Sequence, residues 1–404
     1  MLIVRVGQNT VIHSDLHKPS SEGFFAKEIL TVIRIRTCLH AAYSLEVPPA
    51  HYLYNMAILK RRLLFISLAV ILLIGASGCL IGYSLYTKVM LPNTAMAEPA
   101  HIYVHTSDQL DEILQQLSDQ HILRDMNSFS WWAQRQGMGD NLKHGHYLIQ
   151  PGMSNREIVN LIMSGRQTPV NVTFNNLRTK NDLAGRIAQQ LEPDSATLLA
   201  FWDTTSLFRA LGLTQDNYMT IFLPNTYEFY WTTSAHAFTE RMINEYQRFW
   251  TADRVNKASE IGLTPTQVYI LASIVYSENE KHVDEAPRIA GVYMHRINTG
   301  MKLEADPTVK FAIGNFAIRR LLFADLEIDS PYNTYKYAGL PPGPIHMPPV
   351  AYIDAVLNYE KHDYIFMCAS GDGSGYHLFA KTLAEHNRNR DIYIQTLNKQ
   401  GIRR

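Results

Sequence analysis

An excess of charge of either sign is missing from this 404-residue chain: Lys and Arg total 37, Asp and Glu total 37, and the formal net charge is zero. Nucleic acid, which binds largely through phosphate neutralisation, is therefore a poor partner. Cysteine is scarce, with only Cys38, Cys79 and Cys368. The first two fall before or within the apolar run described below, so the portion after that run has no intramolecular disulfide to form. Sixteen histidines never fall into HExxH spacing and no CxxC occurs, so no metal site and no cofactor are expected. GDGSG at 371–375 lacks the Lys and Ser/Thr of a phosphate loop and reads as a hairpin turn. No internal repeat or low-complexity tract stands out. With 46% hydrophobic against 18% charged residues, the chain suits a globular protein of two or three domains with real cores.

The most distinctive stretch is LLFISLAVILLIGASGCLIGYSL, Leu63 to Leu85, which carries no charge and is long enough to cross a bilayer as a helix. Its Leu, Ile, Val and Phe residues, at about −0.3 to −0.6 kcal/mol each, favour insertion by several kcal/mol. Lys60, Arg61 and Arg62 precede it and only Lys88 follows, which puts the N-terminus in the cytoplasm and everything after about residue 90 beyond the membrane. Ala76, Ser77 and Gly78 before Cys79 loosely resemble a lipoprotein signal. The apolar run continues through Leu80, Ile81 and Tyr83, which favours an uncleaved anchor. Residues 1–55 show no clear period, whereas MAILKRR from Met56 reads as a complete start, so translation is expected to begin there.

The expected fold class is α+β in four pieces. They are an N-terminal extension (1–55), a head, membrane helix and linker (56–99), a small α/β domain (100–167), and a mixed α/β domain (168–404). The small domain shows a strand at 101–106, an amphipathic helix with Leu110, Ile113, Leu114 and Leu117 on one face, and a later helix capped by Ser154 and Glu157 and closed by Gly165. In the large domain, Thr264, Pro265 and Gln267 open a helix with a capping box and a Leu263–Val268 staple, and the sequence LASIVYSENE ends it in acid.

At 100° per residue, Leu271, Ile274 and Val275 lie within about 60° of Glu278, whereas Glu280 points roughly 200° away. Glu278 thus shares an apolar face at the negative end of a helix dipole. Both features push its pKa up. Raising a Glu from about 4.3 to between 6 and 7 costs roughly 2.5 to 3.5 kcal/mol, a cost expected of a general acid. The alternative is a salt bridge to Arg288 or Arg296 of the next helix. Glycosidic cleavage needs such an acid, and ordinary glycosidases add a second carboxylate. Asp306, before Pro307, is a candidate, although Asp-Pro also reads as a turn; Asp325, Glu327 and Asp329 form a helix-and-turn run.

LASIVYSEN, GVYMHRINTGMKLEADPTV (291–309), SPYNTYKYAGLPPGPI (330–345) and GYHLFAKTLAEHN (375–387), in that order, resemble the endolytic murein transglycosylase family, the YceG-like proteins. The resemblance covers roughly residues 60 to 395. It implies a membrane-anchored lytic transglycosylase with a LysM-like small domain at 100–167 and a YceG-like catalytic domain. Such an enzyme cuts the MurNAc–GlcNAc bond of nascent glycan strands and leaves a 1,6-anhydro end. It implies catalysis by Glu278 and a sugar groove formed by Asn333, Thr334 and Tyr335 with Gly339 to Ile345, with Asp306 and His377 as further substrate contacts; His377 serves equally well as a structural histidine. Tyr276 stands where some relatives carry a further acid. Peptidoglycan strands are the implied partner, together with peptidoglycan synthases, and the implied location is the bacterial inner membrane with the catalytic domain in the periplasm. A non-catalytic wall-binding scaffold and a hydrolytic muramidase are the rival readings.

Overall fold

The computed structural model describes residues 50–318 and 320–399. It divides at Ser84/Leu85 into two units, each considered by itself. Residues 1–49, which include most of the expected extension, lie outside the described residues. The first unit is dominated by the helix Ala50–Met90, which runs on a little into the second. Its part from Tyr54 is long and apolar enough to cross a membrane. Leu63, Phe65, Ile71 and Ile74 all stand exposed on it. Its uncharged stretch, Leu63 to Thr87, covers about 37 Å as a helix, more than the roughly 30 Å of a bilayer's hydrocarbon core.

The second unit opens with strand β1 (Ala100–Val104), helices Leu110–Asp119 and Met126–Arg135, strand β2 (Gly145–Ile149) and helix Asn155–Met163. β1 and β2 pair antiparallel, from Ala100 with Ile149 to Val104 with Gly145. Alternation puts Ile102 and Val104 on the face that meets Ile113, Leu117, Phe129 and Ile158 in one buried cluster. The expected capping box is present: the Ser154 hydroxyl accepts from the Glu157 amide, and the Glu157 carboxylate accepts from the Ser154 amide. Gly165 follows at φ 67°, a left-handed residue closing the helix.

The same order then recurs, which corrects the expectation of no internal repeat. Strand β3 (Val170–Phe174), helices Lys180–Ala188 and Ser195–Thr204, strand β4 (Asn225–Phe229) and helix Ala235–Phe249 follow, with β3 and β4 antiparallel over five residue pairs. The agreement reaches single hydrogen bonds. Gln116, in a Gln-Gln-Leu sequence, holds both the amide and the carbonyl of Tyr103, the fourth residue of β1. Gln190, in a second Gln-Gln-Leu, holds both groups of Thr173, the fourth residue of β3. Tyr147 and Tyr227, each third in its strand, donate to the carbonyl four residues earlier, Lys143 and Leu223. Ser154 and Ser234 cap the helices that follow. No period recurs in the sequence because the connections differ in length; a short helix, Leu207–Ala210, and a 3-10 turn are inserted in the second copy only.

The remainder is mainly helical: Ala252–Glu260, Pro265–Glu278, Ala286–Asn298, Asp306–Ile313 and Val350–Leu357, then a hairpin of β5 (Phe366–Ala369) and β6 (His377–Ala380) and a final helix, Leu383–Lys399. The predicted start of Pro265–Glu278 is reproduced, with the Thr264 hydroxyl accepting from Gln267 and the Gln267 side chain accepting from Thr264. Its burial is not one-sided, however. Every residue from Val268 to Tyr276 is buried, so this is the central helix of the core and apolar on all sides. Asp306-Pro307 opens a helix with proline in its first turn and does not form a free turn. The described residues thus form a mixed α/β architecture with three two-stranded sheets.

Candidate active site

The central helix stops at Glu278, with Asn279 as its cap in extended conformation. Glu278 keeps part of its surface open, although other groups crowd its carboxyl. The phenol of Tyr293, buried on the neighbouring helix, donates to Glu278 Oε1 at 2.5 Å. Burial drives the Glu278 carboxyl above its ordinary pKa. The Tyr293 hydrogen bond and the charges of His377 and Lys310 pull it down, Asp306 pushes it up, and the net direction is upward. This is the direction expected from the sequence. Tyr293 rises well above the usual phenol range, through burial first and then through the Glu278 charge beside it.

The salt-bridge alternative is not what the fold provides. Arg288 pairs with Glu360 at 2.9 Å. Arg296 is buried against the carbonyls of Lys302, Leu303 and Ile365 and pairs with Glu304.

His377 begins β6 and reaches the site from the hairpin. Its Nδ1 lies 2.8 Å from Glu285 Oε2, and its amide donates to Glu285 Oε1 at 2.8 Å. Burial works to lower the imidazole, but the bond to Glu285 and the charges of Glu278 and Glu285 outweigh it and raise its pKa. Burial likewise works to raise Glu285, and the bonds from His377 and Asn279 overcome it, so that carboxyl is lowered. Asn279 ties the pieces together: its Nδ2 donates to Glu285 Oε2 at 2.8 Å and to the Gly375 carbonyl at 3.1 Å. Its own carbonyl accepts from Tyr352 at 2.6 Å.

Asp306 lies at the start of its helix and accepts from the Tyr335 hydroxyl at 2.6 Å. Burial, and then Asp306, raises the Tyr335 phenol, and Glu278 adds to that shift. The structure therefore brings together Glu278, Asp306, Tyr335 and His377.

Asn333 and Thr334 correct the expectation of a sugar wall, because both are buried and spent on the protein itself. Asn333 donates to the carbonyls of Leu326 and Ile328, both at 2.8 Å. Thr334 accepts from the Ala305 amide and shares a hydrogen bond with Thr308. They hold the loop that presents Tyr335. Much of the Gly339 to Ile345 segment is buried as well. A Cβ on Gly343 would come within 1.8 Å of the Asp216 carbonyl, and the Ile345 amide donates to Ser273.

Tyr293, Glu285, Asn279 and Lys310 belong to this neighbourhood and were not singled out from the sequence. Tyr293 and Asn279 do sit inside the distinctive runs GVYMHRINTG and LASIVYSEN. Glu285 becomes informative only once its pairing with His377 is visible.

A family model described as the YceG-like family matches residues 102–392. The chain is similar to a Bacillus subtilis protein named endolytic murein transglycosylase, with 27% identity over 320 residues covering 74% of this chain and 86% of the relative. It is also similar to a Streptococcus pneumoniae protein of the same name, with 25% identity over 361 residues. That match takes in 80% of this chain and 64% of the pneumococcal protein's length. A solved structure of a YceG-like protein from Listeria monocytogenes aligns with 27% identity and a TM-score of 0.47, covering 72% of this chain and 99% of that one.

Proposed function

The chain belongs to the YceG-like family, and from that premise we propose that it is a lytic transglycosylase of peptidoglycan, an endolytic enzyme acting between MurNAc and GlcNAc in glycan strands. The observation that carries this reading is the crowded yet reachable Glu278, raised in pKa and, among the described residues, given a hydrogen bond on one oxygen only, by Tyr293.

Because Oε1 accepts from Tyr293, the acidic proton belongs on Oε2, the atom left to face the sugar. Glu278 gives that proton to the bridging oxygen as the C1–O bond breaks. The resulting carboxylate, stabilised by Tyr293 and by the charges of His377 and Lys310, takes the proton of the sugar's 6-hydroxyl as O6 bonds to C1. One glycosidic bond breaks, one 1,6-anhydro bond forms, and Glu278 ends as it began. No water is consumed, so no second carboxylate is required. Asp306, engaged by Tyr335, serves to raise Glu278.

The apolar helix anchors the protein in the bacterial inner membrane, with Lys60, Arg61 and Arg62 on the cytoplasmic side and the catalytic unit in the periplasm. The β1–β2 domain is a LysM-like glycan holder, and peptidoglycan synthases that supply nascent strands are the fitting protein partners. The test is mass spectrometry of muropeptides after incubating the full chain, in detergent, with uncrosslinked glycan strands. Anhydro-muramic ends are expected from the parent and none from Glu278→Gln. Reducing muramic ends would make it a muramidase, and unchanged strands would leave a scaffold.

A further inference from the structure

The second copy of the strand–helix–helix–strand unit is not used by the mechanism above, and a repeated fold does not by itself carry a function. Its surface does carry a chemistry. A cleft of about 620 Å³ is built from the loop after β3 and one face of helix Lys180–Ala188, with Asn176, Arg178, Asn181, Arg186 and Gln189 among its walls and Phe316 at one side. That volume is in the range of roughly 300 to 1,000 Å³ typical of small-ligand sites.

We propose that residues 170–249 are a second glycan-holding module and that this cleft is a subsite for the murein strand beside the catalytic helix, selecting muramic acid units through Arg186. The inference rests on the glycan-cleaving reading and adds a location and a selectivity to it.

Three observations support the location. Arg178 on the cleft wall is fixed from both sides, bound to Glu280 at 3.1 Å and lying over the Phe316 ring at 4.8 Å. Asn176 lies 2.6 Å from the buried His346, whose other ring nitrogen is 3.3 Å from Ser277. The cleft is thus braced against the last turn of the helix that ends in Glu278. The two copies also pack on one another: Thr106 of the first donates to Glu192 of the second, and Trp231 meets Tyr103 and His105 edge-on. These contacts hold the two copies in a fixed relation to each other.

The occupant follows from the side chains. Amides such as Asn176, Asn181 and Gln189 match sugar hydroxyls and N-acetyl groups, which offer donors and acceptors alike. Arg186 is exposed and has no ion-pair partner among the described residues, while Asp182, which lines the same cleft one turn earlier, has its carboxylate engaged by the Thr179 amide. Muramic acid differs from glucosamine by a lactyl ether that ends in a carboxylate or in a peptide bearing carboxylates. A free guanidinium distinguishes that sugar from the neutral sugars of chitin.

The experiment measures equilibrium binding to the full Glu278→Gln chain in detergent, which holds strands without cutting them. The probes are a labelled uncrosslinked murein strand and a chitin oligosaccharide of equal length. Adding Arg186→Gln should weaken murein binding about threefold to tenfold and leave chitin binding unchanged. Asn181→Ala should weaken both. Murein affinity indifferent to Arg186→Gln and to Asn181→Ala would overturn the subsite, even if the parent still cleaves strands. An Arg186-dependent binding preference in a parent that cleaves nothing would instead sink the enzymatic reading and leave the subsite standing.

Discussion

Glu278 and Glu280 lie two residues apart, and the fold treats them in opposite ways. Glu278 is crowded, receives a phenol proton and is raised in pKa, whereas Glu280 is exposed and meets Arg178 at 3.1 Å. One carboxyl is shifted toward its protonated form, as the proposed acid requires, and the other is a surface ion that braces a loop. The difference comes from the helix end: the last helical residue still faces the core, and the extended backbone at Asn279 turns the chain outward immediately afterwards. Carboxylates of the same chemical type acquire separate roles from their surroundings alone.

The largest effect that would sharpen this contrast is that of Glu278→Gln. Cleavage, followed by release of anhydro-muropeptides, should fall by about 10² to 10⁴ or more. The same variant should be more stable. A carboxyl raised in the native state binds protons more tightly there than in the unfolded chain, so its contribution declines as pH climbs from the ordinary Glu range through the raised value. A neutral amide removes that loss, and thermal unfolding at pH 7 should shift up by a few degrees.

Next in size is Tyr293→Phe, which deletes one hydrogen bond to a carboxylate and should lower kcat about tenfold to a hundredfold. Because that bond favours ionised Glu278, the alkaline limb of the kcat/KM profile should move to higher pH. His377→Gln comes third, since it leaves buried Glu285 without its imidazole and should cost about 1 to 3 kcal/mol in denaturant unfolding. The lowered Glu285 contributes above its unfolded pKa and loses this as pH falls through its folded value. The raised His377 contributes fully below about 6.5 and loses this as pH rises through its folded value. The cost should therefore peak between about pH 4.5 and 6.5. Smallest is Glu280→Gln, an exposed pair, worth less than about 1 kcal/mol and leaving the pH profile in place. A Glu280→Gln chain as inactive as Glu278→Gln would break the comparison.

Features set by neighbouring residues were legible in the sequence. The capping boxes at Ser154 and Thr264, the membrane-length apolar helix and the inward facing of Glu278 all follow from spacing along the chain. Features set by distant residues were not. The pairing of His377 with Glu285 joins positions 92 apart, and nothing local marks Tyr293 as the phenol beside Glu278. Asn333 and Thr334 look like sugar ligands because they are polar in an aromatic run, yet turning inward lets them satisfy backbone groups that burial would leave unpaired. The repeat is hidden in the sequence for a related reason: the two copies share which groups bond and not a regular period.

The most direct measurement is a ¹³C NMR titration of the Glu278 carboxyl carbon in the full chain, identified by its loss in Glu278→Gln. The account predicts a midpoint well above the usual glutamate value of about 4.3, moving higher still in Tyr293→Phe. A midpoint at the ordinary value, unaffected by Tyr293, would contradict it.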